Sequence, residues 1–188
     1  MTEPSPLRVL FVCTANICRS AYAEVRSRQL LGEGSGIEVS SAGTHGWVDH
    51  PMDAYMAAEL RARGADPSGF RSRRLTAQIV KDADLILTME VKHRDFILDE
   101  WPGAFKKTYT LHQFADIASA APDLDMRRLI AEAPRLRKAP GASGDVPDPY
   151  GRGADAATAC AMQLDALLTD GQASKTEPPG RITLSRCR

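Results

Sequence analysis

The residues best able to do chemistry lie in one short stretch, Cys13-Thr14-Ala15-Asn16-Ile17-Cys18-Arg19-Ser20. A cysteine can serve as a nucleophile, but the reactive form is the thiolate, which needs a positive field around it. An arginine six positions on supplies a permanent charge and a planar fork of donors that matches the oxygens of a phosphate group. If the chain between them wraps back on itself, its peptide N–H groups add a nest for a tetrahedral oxyanion. Cys13 would then sit beneath a bound phosphorus. The spacing alone is weak, since chance supplies a cysteine and arginine so placed in roughly a third of chains with this composition. The blander reading is a structural cysteine in a turn. Context favours the phosphate loop, because an apolar run ends just before Cys13 and a helical pattern begins just after Arg19.

A nucleophile that displaces an alkoxide or phenoxide needs an acid for the leaving oxygen. Asp148-Pro149-Tyr150 is the best candidate. Pro149 fixes the backbone and holds the preceding Asp148 extended, so that its carboxyl projects from a rigid loop. Tyr150 offers an aromatic wall two residues further on. The competing reading is an ordinary Asp-Pro turn.

These groups need elements to position them. Leu7 to Val12 is a continuous apolar run of the kind buried on both faces of a parallel sheet. The loop Cys13–Ser20 follows it, and 3.6-residue spacing from Ala21 to Leu31 predicts a helix stopped by Gly32. Further strands are expected over 37–40, 85–89 and 108–111, and helices over 51–63, 76–82, 93–98 and 154–168. This alternation predicts an α/β fold: a single three-layer domain with a four-stranded parallel sheet and helices on both faces. In such sheets ligands bind beyond the carboxyl ends of the strands, where the Cys13 loop would sit. One domain is expected over 1–169. Within it, 117–144 (with Pro122, Pro134 and Pro140) is an extended insertion of one or two short helices and a flexible loop. Residues 170–188 are expected to form a flexible tail.

Composition narrows the function. The chain has 188 residues, with Lys+Arg and Asp+Glu at 24 each and a formal net charge of zero. It therefore lacks the basic excess that nucleic-acid binding usually brings. No apolar run has the length of a membrane span, and no basic start leads into an apolar segment, so a cytoplasmic protein is expected. Cys13, Cys18, Cys160 and Cys187 lack zinc-ligand spacing and are expected as reduced thiols. His45, His50, His93 and His112 suggest surface histidines rather than a metal site. No metal, no cofactor and no oligomeric state is assigned.

Val9 to Ser20, with Ala23-Glu24 after it, resembles the low-molecular-weight protein tyrosine phosphatase family. Further matches follow in the family's order: Val39–Thr44, Ser72–Thr76, Ala83–Met89 and Asp148-Pro149-Tyr150. The resemblance covers roughly residues 7–116 and 145–169. It implies hydrolysis of a phosphotyrosine-containing protein or a small aryl phosphate through a cysteinyl-phosphate. Cys13 would be the nucleophile, Arg19 the phosphoryl clamp, and Asp148 the acid and then the base. The loop from Thr14 through Ala15, Asn16, Ile17 and Cys18 to Ser20 would hold the oxyanion. Ser20 would bond the Cys13 sulfur, Asn16 and Ser41 would support the loop's shape, and Cys18 would be able to pair with Cys13 on oxidation. Trp47 and Tyr150 would wall the cleft.

The chain departs from the family's pattern at three places. Ala15 stands where Gly is usual, at a cost of order 1 kcal/mol if that position needs positive φ. Ala21 replaces a Pro. Phe70 stands where many members carry a supporting His, so that support is absent or comes from elsewhere. Two rival functions fit the same loop. An arsenate reductase would need further thiols, and Thr88–Thr110 contains no cysteine. A phosphopeptide-binding module without turnover is motivated by Ala15 and Phe70.

Overall fold

The structure is a computed structural model that describes residues 5–139 and 144–169. Positions 140–143 of the expected insertion, the expected tail over 170–188 and Cys187 within it lie outside the described residues. The elements run β1 (Leu7–Cys13), α1 (Arg19–Leu31), β2 (Ile37–Gly43), α2 (Ala54–Ala62), α3 (Ala77–Asp82) and β3 (Leu85–Thr88). They continue with α4 (Val91–Glu100), a 3₁₀ turn (Pro102–Lys107), β4 (Thr108–Thr110), α5 (Leu111–Ala120), α6 (Met126–Leu136) and α7 (Gly153–Leu168).

The four strands form one parallel sheet in the order β2-β1-β3-β4. Alternation along β1 divides the core in two. Leu7, Val9 and Phe11 face one side with residues of α1, α2, α5, α6 and α7. Leu10 and Val12 face the other with Val80 of α3, Ile97 of α4 and Ala104 of the 3₁₀ turn. A strand buried on both faces must be apolar at successive positions, as Leu7–Val12 is except at Arg8. The chain is thus an α/β fold of three layers, as expected. Among the described residues no helix is long and apolar enough to cross a membrane.

Several boundaries differ from expectation. α1 begins at Arg19, two residues early, because the loop's last residues already turn into the helix. α2 starts at Ala54 rather than Pro51: the Asp53 carboxylate accepts from the amides of Tyr55 and Met56 and sets the cap three residues in. The 117–144 segment begins inside α5, and α6 buries Met126, Leu129 and Ala133 in the larger core. Pro134 lies within α6 and does not end it.

Candidate active site

β1 ends at Cys13 and α1 starts at Arg19, so Thr14–Cys18 must turn the chain within five residues. The loop's carbonyls are held from one side. Thr44 N donates to Cys13 O at 2.9 Å, His45 N to Thr14 O at 3.0 Å, Trp47 N to Ala15 O at 3.3 Å and Asp53 N to Ile17 O at 2.9 Å. Gly43 allows this approach, since a Cβ there would lie 2.4 Å from Thr14 O. The amides of Thr14 through Cys18 donate to nothing among the described residues. Five successive unpaired N–H groups are costly unless something accepts from them. Beside the unpaired first turn of α1, they suit an oxyanion.

Asn16 makes the tight turn. Its φ is 60°, and Ala15 is absent from the positive-φ residues, so the strain anticipated at Ala15 does not arise. Asn16 Oδ1 accepts from Arg73 N at 2.9 Å, which fixes the orientation of its amide. Asn16 Nδ2 must then donate, and it does so to Ser20 Oγ at 2.9 Å and Ser41 Oγ at 2.8 Å. Ser41 passes its own hydrogen to Glu24 at 2.5 Å. Ser20 Oγ, which accepts from Asn16, lies 2.9 Å from Cys13 Sγ and has its own hydrogen free to donate there. The relay thus ends on the sulfur of Cys13. Burial raises the Glu24 pKa, opposed by Ser41 and Arg28. Phe70 packs in the core, and Asn16 and Ser41 are held by Arg73 N and Glu24.

Arg19 is 1% exposed. Its Nη1 donates to Glu90 and, at 3.0 Å, to Val146 O, and its Nη2 donates to Asp148 at 2.7 Å. Nε is buried without a partner among the described residues. Burial would lower the guanidinium pKa, but the charges of Cys13, Glu90 and Asp148 outweigh it and hold it above its ordinary value. Glu90 is likewise desolvated, yet Lys92 and Arg19 keep its carboxylate below the usual range. Asp148 is half exposed and also accepts from Tyr150 N at 3.2 Å. Trp47 (45% exposed) and Tyr150 (53% exposed) meet edge to face, with ring centroids 6.1 Å apart, in the segments that border the loop.

Thr14 to Ser20, Ser41, Trp47, Asp148 and Tyr150 thus lie in or against the loop that follows Cys13. Ile17 and Cys18 are buried in the core, and burial, then the charge of Asp53, pushes the Cys18 thiol far above its ordinary pKa. Cys13, Cys18 and Cys160 are free thiols. Sequence reasoning missed Glu24, Arg73, Glu90 and His93. His93 is not a surface residue: it is buried, with Nε2 2.8 Å from Thr14 Oγ1. Among the described residues no group of three or more His, Cys, Asp or Glu is placed to hold a metal ion.

Comparison with known proteins follows the same outline. The model of the family described as low molecular weight phosphotyrosine protein phosphatase matches residues 8–127. The low molecular weight protein-tyrosine-phosphatase Etp of Escherichia coli K12 is 45% identical over 85 residues, 45% of this chain and 55% of that protein. The chain thus spans little more than half the length of that relative. The protein-arginine-phosphatase of Geobacillus stearothermophilus is 30% identical over 165 residues, 87% of this chain and 92% of that protein. The solved low molecular weight protein tyrosine phosphatase from T. tengcongensis superposes with a TM-score of 0.65 at 29% identity, covering 84% of this chain and 92% of that one. The chain belongs to the low molecular weight phosphotyrosine protein phosphatase family.

Proposed function

We propose that the protein hydrolyses aryl phosphomonoesters, phosphotyrosine in proteins above all, in the cytoplasm and through a cysteinyl-phosphate. Cys13 Sγ attacks phosphorus while the bond to the leaving phenoxide breaks, and Asp148 gives that oxygen its proton. Arg19 and the unpaired amides of Thr14, Ala15, Asn16, Ile17 and Cys18 hold the phosphoryl oxygens as charge builds on them. A water then attacks the phosphocysteine and gives its proton to Asp148. The S–P bond breaks, phosphate leaves, and the Ser20 hydroxyl stabilises the departing thiolate. Asn16 and Ser41 keep the loop in shape, and Trp47 and Tyr150 wall an aromatic leaving group. The reading assigns no metal, cofactor or nucleic acid. It treats residues up to 169 as one domain.

The observation that carries this reading is the hydrogen-bond relay ending on the Cys13 sulfur beside a run of unpaired amides. The test is hydrolysis of para-nitrophenyl phosphate. Cys13→Ser is expected to lower turnover by more than about a thousandfold. Equal rates would remove Cys13 as nucleophile.

A second reading, hydrolysis of phosphoarginine, is favoured by the relative named a protein-arginine-phosphatase, which matches most of the chain. Matched phosphotyrosine and phosphoarginine peptides separate the two, and the aromatic pair supports the aryl ester. Arsenate reduction would need a further thiol to resolve the adduct; Thr88–Thr110 contains no cysteine, and thiol-dependent arsenate turnover is the result that would favour it.

A further inference from the structure

The chemistry above uses Cys13, Arg19 and Asp148 and leaves His93 without a task. His93 stands in the first turn of α4 and is 2% exposed. Its Nε2 lies 2.8 Å from Thr14 Oγ1, and its Nδ1 is buried with no partner among the described residues. Burial, then the charge of Arg19, lowers the ring's pKa to about 4, so the ring is neutral near pH 7 and carries a single N–H. An orphaned buried N–H is harder to tolerate than an orphaned acceptor. That places the proton on Nε2 and makes His93 the donor to Thr14.

Thr14 is the first residue after the nucleophile. Its carbonyl is already held by His45 N at 3.0 Å, so the bond from His93 grips the same residue from a different element. Glu90, the residue immediately before α4, binds Arg19 at the far end of the loop. One helix start therefore grips both ends of the oxyanion loop. We infer that His93 is a positioning residue: through the Thr14 hydroxyl it holds the peptide groups following Cys13 in the orientation that an oxyanion requires. This inference rests on the phosphatase reading, but its effect is readable in oxyanion affinity alone.

The experiment measures orthovanadate binding by calorimetry, aryl phosphate turnover and thermal melting for a set of variants. Thr14→Val and His93→Ala should each weaken vanadate about three- to tenfold, the size of one lost hydrogen bond, and lower kcat/KM in step. The double variant should be no weaker than the worse single one. Thr14→Ser and His93→Gln, which keep a hydroxyl and a terminal N–H, should restore most of the affinity. Additive losses would overturn the inference. So would a Thr14→Val protein that binds vanadate like wild type, or variants that only melt earlier. A wild type that binds vanadate yet leaves aryl phosphate intact would end the phosphatase reading and leave this measurement standing.

Discussion

Along the side of α1, Tyr22 OH and Arg26 Nε donate to Asp165 Oδ1 of α7 at 3.0 and 2.9 Å, and Arg63 at the end of α2 donates to Oδ2 at 2.5 Å. Arg63 also binds Glu59, which accepts from Thr158. Each charge there meets an opposite one. At the start of the same helix the pattern differs: the side chains of Asn16, Ser20 and Ser41 satisfy one another, but the loop's amides and Arg19 Nε have no partner among the described residues. A closed cluster joins helices and has nothing left over for a ligand. An open cluster leaves its donors for an anion to accept from. The difference separates groups that hold the fold from donors left free to meet an anion.

The largest expected effect tests the open cluster. Asp148→Asn keeps the size of the side chain but cannot give up a proton. It should slow esters with poor leaving groups by about 10² to 10⁴, and those with good leaving groups far less. Measuring kcat across a series of substituted phenols checks this. A uniform loss would leave Asp148 as no more than a partner of Arg19.

The open cluster should also carry a cost in stability that depends on pH. His93 titrates near 6.5 in an unfolded chain and near 4 in the folded one. Between those values the unfolded chain binds the proton and the folded chain does not. Stability is therefore complete above about pH 6.5 and is lost as pH falls toward 4, by up to about 3 kcal/mol. Urea unfolding of wild type and His93→Gln over that range should give curves that diverge on acidification. Parallel curves would mean that the ring is solvated.

In the closed cluster, Asp165→Asn removes the charge between two guanidiniums. A loss of about 2 kcal/mol in stability is expected, with kcat/KM unchanged, because no group of that cluster touches the loop. Urea titration with kinetics on the folded fraction is the check. A fall in kcat/KM would show that the two clusters communicate along α1.

The open cluster was half legible in the sequence. Cys13, Arg19 and Ser20 are neighbours in the chain, and the apolar run before them shows where they sit. Asp148 was found because Pro149 constrains it. Glu90 and His93 escaped because they are more than 70 residues from their partners, and only the register pairing Val12 with Thr88 brings them alongside. A signal was available: in a parallel sheet the residues just past each strand end share one edge, and Glu90 and His93 follow β3 as Trp47 follows β2. Glu24 and Arg73 had no such marker: Glu24 acts through a side chain aimed at Ser41, and Arg73 through a backbone amide that reaches Asn16 from 57 positions away. The closed cluster was not anticipated at all. Its members lie on three helices, and surface charges at those spacings look like ordinary solvated faces.

The smallest effect concerns Ala15, where the family's glycine suggested a strained loop. The structure moves that demand to Asn16, whose φ of 60° is supported by three side-chain bonds. With Ala15 outside the left-handed region, its Cβ restricts the unfolded chain without straining the folded one. Ala15→Gly should then lower stability by about 0.4–1 kcal/mol and bring no rise in turnover. A faster variant would mean that the Cβ obstructs the oxyanion. In that case the open cluster would be less open than its unpaired amides imply.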